Sequence, residues 1–308
     1  MSKKGVLLLA FGGADSIEDV EPFVKNVLKG RPVSSEAVEK AKTRYRLIGG
    51  SSPLLKITKA QASSIKNILA DPSSGWVPRG SEPDFFIGMR FWRPYIKDVV
   101  KEMKDAGIID AVAIIMAPHS SRASTGGYIT DIEAALKETG GVPNIEFVES
   151  WHTHPLYIDA LLEKIEEALK HDGEGILTIF TAHSLPVSSL SGDPYLEKLN
   201  ATIAEVVKKK PLEWKLAFQS KGGGQMPWLG PGAEEVIKEA KEAGKKGVLI
   251  VPLGFVADHV ETLYDIDILF KKTAIEAGLK FLRAASLNDS EKFTSMLADV
   301  IKRHGGVV

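Results

Sequence analysis

Residues 174–186, EGILTIFTAHSLP, decide how this 308-residue chain is read. The short apolar run from Ile176 to Phe180 lacks the polar alternation of a half-exposed strand and reads as a strand buried on both faces, as in parallel sheets. It gives way at once to Thr181-Ala182-His183-Ser184-Leu185-Pro186. A buried strand thus delivers polar side chains to the edge of a sheet, which is where open α/β sheets bind their ligands.

Seven similar runs lie at 5–11, 83–88, 111–117, 145–149, 214–219, 246–252 and 279–283. Between them, stretches such as 94–106, 155–170, 193–208 and 232–243 carry apolar residues at spacings of three and four, the mark of amphipathic helices. Strand and helix therefore alternate, which predicts α/β architecture with parallel sheets. The strand starts also suggest a duplication. In the second half they fall 40, 32 and 33 residues apart, and in the first half 78, 28 and 34 apart. The first half reads as the same four-strand unit with an insertion inside residues 16–72. Two Rossmann-like domains are expected, 1–152 and 153–308, each a four-stranded parallel sheet flanked by helices, with a cleft between them. Residues 288–305 read as a final helix able to pack back across either half.

Composition narrows the function. Lys and Arg number 39 against 40 Asp and Glu, a net charge of −1, so nothing argues for nucleic acid or an anionic membrane surface as a partner. The absence of cysteine excludes disulfides, thiolate metal sites, cysteine nucleophiles and a Cys-ligated iron–sulfur cluster. The opening MSKKGVLLLAFGG has an apolar run shorter than a secretory leader and reads as the first strand. No apolar run approaches the roughly 20 residues of a transmembrane helix, and a cytoplasmic enzyme is expected. The Gly12-Gly13 and Gly222-Gly223-Gly224 turns lack the remaining positions of a dinucleotide or phosphate-binding motif.

The chemistry concentrates at two strand ends. His183 by itself reads equally as a core histidine bonded to the next turn or as a reactive group. The segment Gly254-Phe255-Val256-Ala257-Asp258-His259-Val260-Glu261-Thr262-Leu263-Tyr264-Asp265-Ile266-Asp267 is denser. In an α-helix Glu261, Tyr264 and Asp265 would share one face, with Asp258 as the cap. The interleaved Phe255, Val256, Val260 and Leu263 set those acids in an apolar wall, which favours a cation site. His119 suits capping and cleft lining equally, His152 and His154 suggest a domain junction, and His171 and His304 read as surface residues. Arg31, Arg44, Tyr45 and Arg46 flank the turn Gly49-Gly50-Ser51-Ser52-Pro53-Leu54, a combination suited to gripping carboxylates. Trp92 and Trp228 stand in loops at strand ends beside cationic residues.

These residues describe a site for a large flat polyanion that exchanges protons for a metal. The segments YRLIGGSSPL, FTAHSLP, FQSKGGGQMPWLGP and GFVADHVETLYDID, spread in order over most of the chain, resemble the ferrochelatase family, which inserts Fe2+ into a porphyrin in haem biosynthesis. The resemblance implies the chelatase-like fold of two Rossmann-like domains. It implies that His183 and Glu261 form the catalytic pair, that His183, Glu261 and Asp265 meet the metal, and that Arg31, Arg44, Tyr45 and Ser52 contact the porphyrin, with Ser121 a looser match. Tyr45, Trp92 and Trp228 are the candidates for bending the macrocycle. The implied substrates are ferrous iron and either protoporphyrin IX or coproporphyrin III, with no tightly bound cofactor and no iron–sulfur cluster. Neighbouring haem-pathway enzymes are the further partners considered, in transient contact.

Two positions depart from the family pattern. Phe11 stands where some relatives have a tyrosine, so an axial-ligand role is lost while substrate contact remains. Leu269 stands where many have a third acid, which shortens the acidic line to Glu261 and Asp265. The competing readings are a cobalt or sirohydrochlorin chelatase and a non-catalytic porphyrin or haem carrier. The first fits the 49–54 pattern poorly, and the second would be expected to carry an export signal.

Overall fold

The computed structural model describes residues 3–71, 83–170, 173–223 and 226–304. Gly224, the third glycine of the 222–224 run, and His171 lie outside the described residues. Two compact units emerge. One comprises Met1–Ser120, Ser124–Trp151 and Asn288–Val308, the other Ser121–Ala123 and His152–Leu287.

The first unit is built on β1 (Lys3–Ala10), β2 (Asp84–Met89), β3 (Ile108–Ile115) and β4 (Asn144–Val148), in the order β2-β1-β3-β4. All pairings are parallel, with Leu7 opposite Phe86 on one side and Ala113 on the other. Leu7, Leu8 and Leu9 have no exposed surface, which explains why this central strand is an unbroken apolar run. Burying each such side chain contributes about 1.5–3 kcal/mol. The insertion is helical: α1 (Val20–Val27), α2 (Ser35–Leu47) and α3 (Leu54–Ala70). The Ser34 side chain opens α2 by accepting the Ala37 N–H. Helices α4 (Ile96–Asp105) and α5 (Gly126–Thr139) complete the crossovers.

The second unit repeats the plan. Strands β5 (Ile176–His183), β6 (Trp214–Gln219), β7 (Gly247–Pro252) and β8 (Lys280–Arg283) run parallel in the order β6-β5-β7-β8. Around them lie α6 (Pro155–Leu169), α7 (Tyr195–Lys209), α8 (Ala233–Glu242) and α9 (Lys271–Glu276). His154 starts α6 as its cap, its Nδ1 accepting the Leu156 N–H at 3.3 Å, while the His152 carbonyl accepts the Thr202 hydroxyl. The same strand order in both units is the duplication expected from the spacing.

The last helix, α10 (Glu291–His304), returns to the first unit. Phe293, Met296, Leu297, Val300 and Ile301 recur at helical spacing and are buried, packing on α3 and β4. The Phe293 ring lies 5.6 Å from that of Trp151, and Gln61 Nε2 donates to the Asn288 carbonyl at 2.7 Å. No described helix is long and apolar enough to cross a membrane.

Candidate active site

The second unit carries the titratable cluster. His183 closes β5, beside Gln219 at the end of β6. After β7 the chain turns at Gly254, where a Cβ would come to 3.0 Å from Ala182 Cα, so glycine lets this loop lie against the end of β5 without displacing it. The loop then enters a ten-residue π-helix, Glu261–Phe270. Such helices are rare and occur at functional sites. Its i→i+5 turn keeps residue i+4 beside residue i but swings i+3 away. Glu261 and Asp265 therefore stay together and Tyr264 leaves their face, against the α-helical expectation.

Gln219 Nε2 donates to the Glu261 carbonyl at 3.0 Å, and the Ser220 hydroxyl donates to Asp265 Oδ2 at 2.6 Å. Ser220 adopts a φ of 57°, a left-handed conformation that costs a non-glycine residue about 1–2 kcal/mol. That turn aims its hydroxyl at the carboxylate. Asp258 does not hold the capping position, which belongs to Val260. Its carboxylate is held instead by Arg283 Nη2 at 2.6 Å and Ser286 Oγ at 2.7 Å. A full guanidinium charge within reach outweighs the partial charge of a helix terminus.

Glu261 sits between two imidazoles. His183 Nε2 is 3.7 Å from Glu261 Oε1, and His259 Nε2 is 3.8 Å from Oε2. His183 Nδ1 lies 2.6 Å from the Ser184 carbonyl oxygen, which can only accept, so Nδ1 carries a proton and Nε2 is the position that gains or loses one. Burial pulls the His183 pKa down, but the Glu261 carboxylate, the Ser184 carbonyl and Asp265 outweigh it and raise it to about 9. Burial likewise pushes Glu261 up, and His183 with His259 reverse it, holding the carboxyl well below the usual carboxylate range. The two side chains keep 37% and 28% exposure, enough for a substrate to reach them. Phe255 packs at a tilt against His259 at 4.8 Å and meets His183 edge-on at 6.4 Å, forming an apolar wall.

Among the described residues no three His, Asp or Glu side chains converge to hold a metal ion. His183 and Glu261 are brought together, but Asp265 is bonded to Ser220 and does not close a cage around them. Such an open pair suits a cation in transit. His259, placed by the sequence only within an acidic stretch, is the group that reading missed as a direct partner of Glu261.

The remaining expected contacts divide by burial. Phe11, at the end of β1, is 41% exposed, its ring 4.7 Å from Phe91 and 6.3 Å from Phe23. Arg31 and Arg44 are exposed. Tyr45 and Trp92 are each only 2% exposed, so neither offers an open face. The Tyr45 hydroxyl accepts the Ala14 N–H at 3.0 Å and the Trp92 indole donates to Asp15 at 2.9 Å. These rings support the loop after β1. Its Gly13 lies where a Cβ would meet Ser52 Oγ at 2.6 Å, so the glycine admits Ser52. In the second unit Ser121 is buried and donates to Asp193 at 3.1 Å. Trp228 is half-buried, paired through its backbone with Pro186, and its indole N–H has no partner among the described residues. His119 is buried in the loop after β3.

Known proteins resemble this chain over nearly its whole length. The ferrochelatase family model matches residues 3–305. The ferrochelatase of Deinococcus radiodurans is 36% identical, over 99% of this chain and 96% of that protein. That of Herpetosiphon aurantiacus is 36% identical over 97% of this chain and 98% of its own. Among solved structures, SirB from Bacillus subtilis with Fe3+ superposes with a TM-score of 0.60 at 11% identity, covering 99% of this chain and 96% of its own. The cobalt complex of the sirohydrochlorin chelatase SirB gives 0.57, also at 11% identity, over 98% and 96%. At that identity the likeness concerns the fold alone.

Proposed function

The chain belongs to the ferrochelatase family, and on that premise we propose that it inserts ferrous iron into a porphyrin with release of two protons, as a haem-biosynthesis lyase acting in the cytoplasm. The observation that carries this reading is Glu261 flanked by the two imidazoles at 3.7 and 3.8 Å. Iron is a substrate here, and the reaction needs no tightly bound cofactor.

Insertion must remove two pyrrole protons while a dication sheds water. At neutral pH the His183–Glu261 pair holds one proton, because the His183 pKa is near 9. A cation arriving at the Glu261 carboxylate weakens the attraction that retains this proton and expels it. The freed Nε2 then accepts a pyrrole proton, with Nδ1–H anchored on Ser184 to hold the ring in orientation. The carboxylate guides the metal while His259 steadies it from the other side, and the second pyrrole proton follows the first through His183 once that proton has passed to solvent. Phe11 offers a flat apolar face, and Arg31 and Arg44 offer cations for the porphyrin carboxylates.

The test is an anaerobic assay with Fe2+ or Zn2+ and either protoporphyrin IX or coproporphyrin III. A metalloporphyrin spectrum is expected from the wild type. Insertion at the wild-type rate by both His183→Ala and Glu261→Ala would sink the mechanism.

A further inference from the structure

The segment 258–267 holds four carboxylates, and the structure treats them unequally. Glu261 faces two imidazoles, and Asp265 accepts from the neutral Ser220 hydroxyl. Asp258 and Asp267 are both engaged by one residue, Arg283, the last of β8. Its Nη2 donates to Asp258 Oδ1 at 2.6 Å, and its Nε is 3.2 Å from Asp267 Oδ1. The three side chains are largely covered, at 18%, 18% and 33% exposure for Arg283, Asp258 and Asp267, so water screens the contacts weakly. Ser286 Oγ donates to Asp258 at 2.7 Å and receives the same guanidinium at 3.1 Å, which fixes the fork.

We propose that Arg283 is a specificity-determining residue that withdraws Asp258 and Asp267 from cation binding and so directs an arriving metal to Glu261 and Asp265. A hard divalent cation is attracted to any pair of carboxylates that lacks a counter-charge. Without the guanidinium, Asp258 and Asp267 would form such a pair on the same short segment as Glu261, competing for the metal. With it, both carboxylates already hold a cationic partner and half of their charge is cancelled. A guanidinium serves better than an ammonium because it stays charged at every working pH and spans both acids at once.

The proposal rests on the metal-insertion reading, but its first test does not require turnover. The full chain is titrated with Mn2+ and the free ion followed by electron paramagnetic resonance. Arg283→Gln is expected to bind about one more equivalent than the wild type. Adding Asp267→Asn to that variant should abolish the extra equivalent, and Arg283→Lys, whose single ammonium cannot span both acids, should fall between Arg283→Gln and the wild type. In the insertion assay Arg283→Gln should raise the KM for metal about fivefold, with a smaller change in kcat. A purely structural role would lower kcat and thermal stability with no added Mn2+, and wild-type stoichiometry in folded Arg283→Gln overturns the proposal. Asp267→Asn alone covers the case in which Arg283→Gln does not fold. Because Asp267 is already held by Arg283, metal KM and Mn2+ stoichiometry should stay within about twofold of wild type, and a several-fold rise in metal KM refutes the idea. A wild type that inserts no metal would defeat the functional reading while leaving the Mn2+ comparison intact.

Discussion

The two units share one strand order and differ at the same sheet edge. In the first, β1 ends in Ala10 and passes to Phe11, whose ring packs on Phe91 and Phe23. In the second, the corresponding strand β5 ends in His183, paired with Glu261. After β3 the chain enters a loop containing His119, whereas after β7 it enters a π-helix that carries Glu261, Asp265 and Asp267. The first edge is aromatic, and the second carries the titratable pair His183 and Glu261. A duplicated scaffold thus fixes where the edges are, and the residues just past the strands decide what each edge does.

Removing chemistry from the second edge should have the largest effect. Glu261→Gln is expected to lower the insertion rate by about 10³-fold or more while porphyrin binding, followed by fluorescence quenching, is kept. A rate within tenfold of wild type would show that the edges are less specialised than described here. The next consequence is for pH. If neutral His183 is the competent form, insertion should rise with pH through a midpoint at about 9 and level off above it. In Glu261→Gln the dominant upward influence is gone, so the residual rate should level off at a lower pH. Stability runs the opposite way. His183 has a folded pKa above its ordinary 6.5, so the stability it contributes is complete below pH 6.5 and lost as pH rises toward 9. Chemical denaturation of wild type and His183→Ala across that window should show their difference shrinking.

Smaller again is the effect at the first edge. Phe11→Ala removes an exposed ring that makes no bond to a metal, so porphyrin KM should rise about tenfold with kcat nearly unchanged. A loss confined to kcat would place Phe11 with the chemistry and blur the contrast.

Much of this organisation is legible in the chain. Residues 214–219 read as a strand and are one, and the expected helix at 155–170 is observed as Pro155–Leu169. Buried parallel strands announce themselves as unbroken apolar runs, because both of their faces are covered. The excess spacing after the first strand proves to be α1 and α2 joined to α3. The π-helix was not legible: Glu261 and Asp265, four apart, satisfy an α-helix as well, and only Tyr264 distinguishes the two. Nor was the burial of Tyr45 and Trp92, because an aromatic residue beside arginines has the same local pattern whether its ring lines a site or lies beneath it. Asp258 illustrates the same limit. Its partner Arg283 is 25 residues away, beyond any local signal.

By itself the sequence determined the two parallel sheets, the place of the insertion and the family, since these follow from periodicity, spacing and ordered motifs. The tertiary structure alone decided that His259 joins His183 at Glu261, that Arg283 takes Asp258 and Asp267, and that α10 returns to the first unit. Each of these is set by which distant side chains meet, and an electrostatic interaction depends on distance and burial in space and not on separation along the chain.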